Sequence, residues 1–128
     1  MNEGNLEITN KTKGKLPSLP FVDIKNEVLG ADYELSLVFV GDTTSKKLNF
    51  SYRGKNKPTN VLSFPLDEHS GEIFINPKKA LEEAKEWDKT FEDFIGLLYV
   101  HGLYHLKGHD HSDEMDRLEE ETRKKFNL

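Results

Sequence analysis

Phe94-Ile95-Gly96-Leu97-Leu98-Tyr99-Val100-His101-Gly102-Leu103-Tyr104-His105-Leu106-Lys107-Gly108-His109-Asp110-His111 is the stretch from which the rest of the chain is read. Its first seven residues are apolar on every helical face, which predicts a buried central helix. Thr90 is positioned to cap that helix, with Asp93 three residues on. Four of the five histidines then follow within eleven residues. His101 and His105 are four apart, so a helix places both imidazoles on one face. Gly108 predicts a helix end with positive φ. The chain can then turn back so that His111 supplies a third nitrogen. Three nitrogens plus water is the arrangement of catalytic zinc with one position open. The expectation is one zinc ion on His101, His105 and His111. A purely structural zinc needs a fourth protein ligand, for which Asp110 or His109 is available.

The H-x3-H-x5-H spacing equals that of the metzincin proteases, H-E-x-x-H-x-x-G-x-x-H. Those enzymes use the glutamate after the first histidine as general base. Gly102 stands in that place. The spacing therefore points to zinc, while the glycine points away from peptide hydrolysis by that route.

Outward from this helix, the chain alternates strands and helices. Leu6–Asn10 alternates apolar and polar residues, as a short strand does. Leu16–Leu29 carries apolar residues at helical spacing and stops at Gly30. Tyr33–Val40 reads as a strand that ends buried on both faces. A helix over about Thr43–Tyr52 follows, then an irregular segment, Arg53–Asn60. Val61–Pro65 and Glu72–Ile75 read as strands joined by a hairpin-sized link, with Pro65 confining the first to an edge or an end. Asn76-Pro77 starts a helix that runs to about Trp87, with Ala80, Leu81, Ala84 and Trp87 as its apolar face. The last helix, about Asp113–Phe126, carries Glu119/Arg123, Glu120/Lys124 and Glu121/Lys125 at i,i+4. The order β-α-β-α-β-β-α-α-α predicts an α+β fold: a small mixed sheet packed against helices, with the apolar histidine helix central.

The 128 residues suit one domain spanning 1–128. Absence of cysteine excludes disulfides, thiolate nucleophiles and cysteine zinc knuckles, and suits the cytoplasm. No segment reads as a signal peptide or a membrane span. The net charge of −5 is unevenly spread: residues 1–66 carry +2 and residues 67–128 carry −7. From Thr43 to Leu66 there is no acid, while Lys46, Lys47, Arg53, Lys55 and Lys57 are basic. Such a segment can bind a polyanion even in an acidic protein, or it can be a solvated loop.

The histidine stretch closely resembles the signature of the YbeY-type endoribonucleases (rRNA maturation factors), usually written H-G-x-L-H-L-x-G-Y-D-H. A second block agrees: Leu48-Asn49, Tyr52-Arg53, Lys55 and Lys57-Pro58-Thr59-Asn60-Val61-Leu62-Ser63-Phe64-Pro65. Gly71-Glu72-Ile73 resembles the family's G-[DE]-I strand. Two positions depart: Tyr104 stands where leucine is usual, and His109 where tyrosine is usual. Neither removes a ligand. The segment after His111 is also shorter than the family's.

The resemblance implies a metal-dependent endoribonuclease specific for single-stranded RNA. It would act in maturation of the 16S rRNA 3′ end and in ribosome quality control. Its implied partners are rRNA, the ribosomal small subunit and assembly factors, with no DNA and no membrane. It carries metal binding onto His101, His105 and His111, and an activity-critical role onto Arg53. Arg53 can grip a phosphate bidentately and stabilise charge in the transition state. Lys55 and Lys57 would hold the RNA backbone. Thr59, Asn60 and Ser63 are candidates to line the cleft, and Tyr99 and Tyr104 could stack on bases or pack in the core. Zinc-activated water, His109, Asp110 or His69 could serve as base. Two alternatives stay open on residues alone: a zinc hydrolase for peptides or small molecules, and a non-catalytic RNA-binding assembly factor with structural zinc.

Overall fold

Burial on one face of a mixed sheet organises the chain. The computed structural model describes Asn2, Glu3 and residues 5–128. The strands are β1 (Asn2–Glu3), β2 (Leu6–Asn10), β3 (Glu34–Phe39), β4 (Val61–Asp67) and β5 (Ser70–Ile75). The helices are α1 (Phe21–Leu29), α2 (Asp42–Arg53), α3 (Pro77–Glu86), α4 (Phe91–Leu106) and α5 (Asp113–Lys125). The sheet order is β1-β2-β3-β5-β4. β2, β3 and β5 run parallel, while β1 and β4 are antiparallel to their neighbours. The fold is α+β with the histidine helix at its centre, as the sequence predicts.

Pairing register sets which residues meet α4. Ile8, Leu37, Ile73 and Ser63 form one row across the sheet, and Asn10, Phe39, Ile75 and Val61 the next. Leu37, Phe39, Ile73 and Ile75 are fully buried, together with Ile95, Tyr99, Val100 and Leu103 of α4. Helix α4 packs on β4 and β5 and touches α1, α3 and α5. Its apolar circumference follows from that enclosure.

The two tyrosines of α4 belong to this core. Tyr99 is fully buried and donates to the Phe21 carbonyl at 2.8 Å. Tyr104 is buried with its hydroxyl 2.7 Å from Thr122 Oγ1. Neither is available to stack on a nucleobase.

The capping residues act as expected. Thr90 Oγ1 accepts from the Asp93 amide at 3.1 Å, and Asn76 Oδ1 from the Lys79 amide at 3.3 Å. Pro65 lies in the edge strand β4, where a missing N–H costs no ladder bond.

Three readings need correction. The helix expected from Leu16 begins only at Phe21, because Pro17 and Pro20 bias the residues before them away from helix. Glu119 does not pair with Arg123 on the surface; it is 5% exposed and turned inward. The outer face of α5 instead carries Arg117–Glu121 and Lys124–Glu120 pairs, while Lys125 reaches Glu27 of α1. In α3, Ala80 and Ala84 are buried, but Leu81 is exposed, and so is Trp87 at the helix end.

Candidate metal centre and its cleft

Helix α4 delivers His101 and His105 one turn apart near its C-terminal end. Gly108 then adopts φ +103°, and the His109 amide donates to the Tyr104 carbonyl at 3.1 Å. This reversal brings His111 back. Its ring centroid lies 5.0 Å from that of His101 and 4.9 Å from that of His105. One nitrogen from each of the three histidines falls within 4.8 Å of the others. Neither His109 nor Asp110 belongs to this group.

The hydrogen bonds fix the protons. His101 Nδ1 lies 3.1 Å from Glu119 Oε1, so a neutral His101 ring donates from Nδ1 to the carboxylate. His105 Nδ1 lies 3.1 Å from the His109 carbonyl, which can only accept. With both Nδ1 atoms donating, both Nε2 atoms carry lone pairs, and these Nε2 atoms sit 3.0 Å apart. Two lone pairs at that distance repel unless a metal ion or a proton lies between them. Burial, and then the neighbouring His101 and His111 rings, push the His105 imidazole below its usual value, which favours the neutral form that binds metal. Two nitrogens on a tetrahedral zinc stand about 3.3 Å apart, given Zn–N near 2.0–2.1 Å. The donor set therefore fits a metal ion.

Gly102 has a steric reason of its own. A Cβ there would meet Ser63 Oγ at 2.9 Å and Ile73 methyl carbons at 3.1 and 3.3 Å. The position where the metzincins place glutamate is crowded by the Ser63 and Ile73 side chains, because α4 packs on β4 and β5 at this point. Ser63 Oγ also donates to the Gly102 carbonyl at 3.1 Å.

A cleft of about 390 Å³ opens beside the histidines. His101, His105 and His111 line it together with Arg53, Asn60 and Ser63, so residues far apart in sequence share one site. Arg53 arrives as the last residue of α2, which Gly54 stops in the left-handed region at φ +70°. Lys55, Lys57 and Thr59 do not border the cleft. Both lysines are exposed on the loop after α2. Backbone groups of this segment are tied to α2 through Asn49 Nδ2 to the Lys57 carbonyl and Ser45 Oγ with Thr59, each at 2.9 Å. His69 is exposed in the β4–β5 turn, also away from the cleft.

The cleft wall also holds residues the sequence reading did not single out for the site. Glu83, Glu86 and Trp87 come from the end of α3, and Phe94, Leu97 and Leu98 from α4. Asn60 Nδ2 donates to Glu83 Oε1 at 2.7 Å. Glu119 was also missed. Its i,i+4 spacing to Arg123 reads equally well as a surface pair, and only the packing of α5 on α4 turns it inward.

The family pattern described as Endoribonuclease YbeY matches residues 7–127. The chain belongs to the YbeY endoribonuclease family. It is 37% identical to the endoribonuclease YbeY of Alkaliphilus metalliredigens over 96% of this chain and 86% of that one. It is 38% identical to that of Nautilia profundicola over 96% of this chain and 92% of that one. A solution structure of a Thermotoga maritima protein has a TM-score of 0.65 and 30% identity to this chain. That match covers 91% of this chain and 85% of the other. The YbeY family is one of metal-dependent hydrolytic nucleases, and this chain has a three-histidine group able to hold a metal ion. No helix among the described residues is long and apolar enough to cross a membrane.

Proposed function

We propose that this protein is a zinc-dependent, single-strand-specific endoribonuclease that matures the 3′ end of 16S rRNA and serves ribosome quality control in the cytoplasm. Its partners are then rRNA, the small subunit and assembly factors, and residues 1–128 act as one catalytic domain. The observation that carries the metal part is the facing pair of Nε2 atoms of His101 and His105, 3.0 Å apart with both Nδ1 atoms committed. Arg53 in the same cleft supports the phosphate part.

His101, His105 and His111 would hold one zinc ion, leaving a coordination position open because no fourth side chain among the described residues joins the group. A zinc ion held there would supply Lewis acidity toward a phosphoryl oxygen and lower the pKa of a water. Arg53 grips the phosphate with its guanidinium and stabilises the charge that builds there. Lys55 and Lys57, outside the cleft, attract the RNA backbone at longer range in a salt-dependent way.

The test is a side-by-side assay on single-stranded RNA and on peptides. Zinc-loaded protein should cut RNA alone. Arg53→Ala should keep its zinc and lose cleavage by about 100-fold or more. Peptide cleavage would support a different hydrolase. RNA that is bound but never cut would support an assembly factor with structural metal.

A further inference from the structure

A cleft that accepts a polyanion should not be walled with carboxylates, yet Glu83 and Glu86 both line this one. Nor should a lone tryptophan be left in water. Trp87 is the chain's only tryptophan, is 65% exposed, and borders the same cleft as the histidines. Both oddities have one resolution. A nucleotide has an anionic part and a neutral, flat part, and the lining of this cleft offers a group for each: Arg53 for the first and Trp87 for the second.

We infer that the α3 side of the cleft is a nucleobase subsite, in which a base of single-stranded RNA stacks on Trp87 while Glu83 and Glu86 accept hydrogen bonds from its amino groups. The inference rests on the endoribonuclease reading and adds to it where the base goes. Stacking on an aromatic ring suits any base. The platform is backed from below, since the ring of buried Phe94 lies 6.4 Å from that of Trp87. Leu97, Leu98 and Val61 supply the remaining apolar lining. Asn60 Nδ2, 2.7 Å from Glu83 Oε1, fixes that carboxylate at the wall. Carboxylates repel phosphate but accept readily from an exocyclic amino group such as cytosine N4. Uracil lacks an amino group and offers them only its ring N3–H. Arg53 takes the phosphate, and the glutamates repel it from the base subsite.

The wild-type zinc-loaded protein carries its own probe, because all indole emission comes from Trp87. Cytidine monophosphate and uridine monophosphate, which hold no cleavable diester, are titrated while emission is followed. Binding of single-stranded RNA is measured separately by anisotropy of a labelled oligonucleotide. The expected result is saturable quenching by both nucleotides, with cytidine monophosphate bound about tenfold more tightly. Trp87→Ala should weaken RNA binding by about 5- to 150-fold, and Trp87→Phe should restore most of it. Glu83→Gln with Glu86→Gln should shrink the preference for cytidine monophosphate over uridine monophosphate in the emission titration. RNA bound with unchanged indole emission and no loss in Trp87→Ala would overturn the subsite and leave the endoribonuclease reading standing. Absence of any RNA binding by anisotropy would overturn both. An equal fall in the turnover of cytidine and uridine substrates in the double glutamine variant would make these glutamates general bases and overturn their reading role.

Discussion

The Glu119 carboxylate lies 3.1 Å from Nδ1 of His101, joining α5 to the metal-facing end of α4. The bond holds the His101 ring in the tautomer that points its Nε2 lone pair at the site, and it makes that nitrogen more basic. Glu119→Ala should leave all three histidines in place yet weaken zinc affinity by about 10- to 100-fold. Competition with a chelator of known affinity measures this without reference to activity. An unchanged affinity would make the contact incidental.

Gly102 carries a different kind of constraint. A methyl group there would press on Ser63 Oγ and the Ile73 side chain. Gly102→Ala should therefore destabilise the fold by about 1–3 kcal/mol, read as a lower midpoint in urea. Because α4 must shift away from β4 and β5 to make room, zinc affinity should fall as well. Stability equal to wild type would show that the helix and sheet are less closely apposed.

Asp42 ties the start of α2 to the start of α3. Its carboxylate accepts from Lys78 Nζ and from Asn76 Nδ2, each at 2.8 Å. The Lys78 bond first, and the Asn76 bond second, hold the Asp42 carboxyl below the usual carboxylate range. A carboxyl depressed on folding stabilises the native state fully above its unfolded value of 3.8. That contribution is lost as pH falls through the lower folded value. The pair is solvated, with Asp42 38% exposed and Lys78 more so, so its contribution is small. Asp42→Asn should lower the urea midpoint slightly at about pH 7 and match wild type at about pH 2. A difference that persisted in acid would assign the effect to packing.

The meeting of the three histidines was legible because its signals are local. Helical spacing aligns His101 with His105, Gly108 reverses the chain, and an all-apolar helix must be buried. The place of Arg53 beside the histidines was legible only through resemblance, since charge alone reads equally well as a solvated loop. Glu119 was hidden because its orientation is decided by how α5 packs on α4. Trp87 was misread for a similar reason: helical spacing placed it with Ala80 and Ala84, but α3 ends there and the ring emerges at the cleft. Leu16–Pro20 shows the reverse error, in which apolar spacing was given weight over two prolines that disfavour helix.

One measurement tests the central claim most directly. The protein is stripped with a chelator and zinc is returned in counted portions. Cleavage of a small-subunit rRNA precursor is followed throughout, with His105→Ala treated in parallel. Cleavage should vanish on stripping and return in full at one zinc per chain. His105→Ala should not recover. Full-rate cleavage by the stripped protein, or by His105→Ala without stoichiometric zinc, would contradict a mechanism centred on the three histidines.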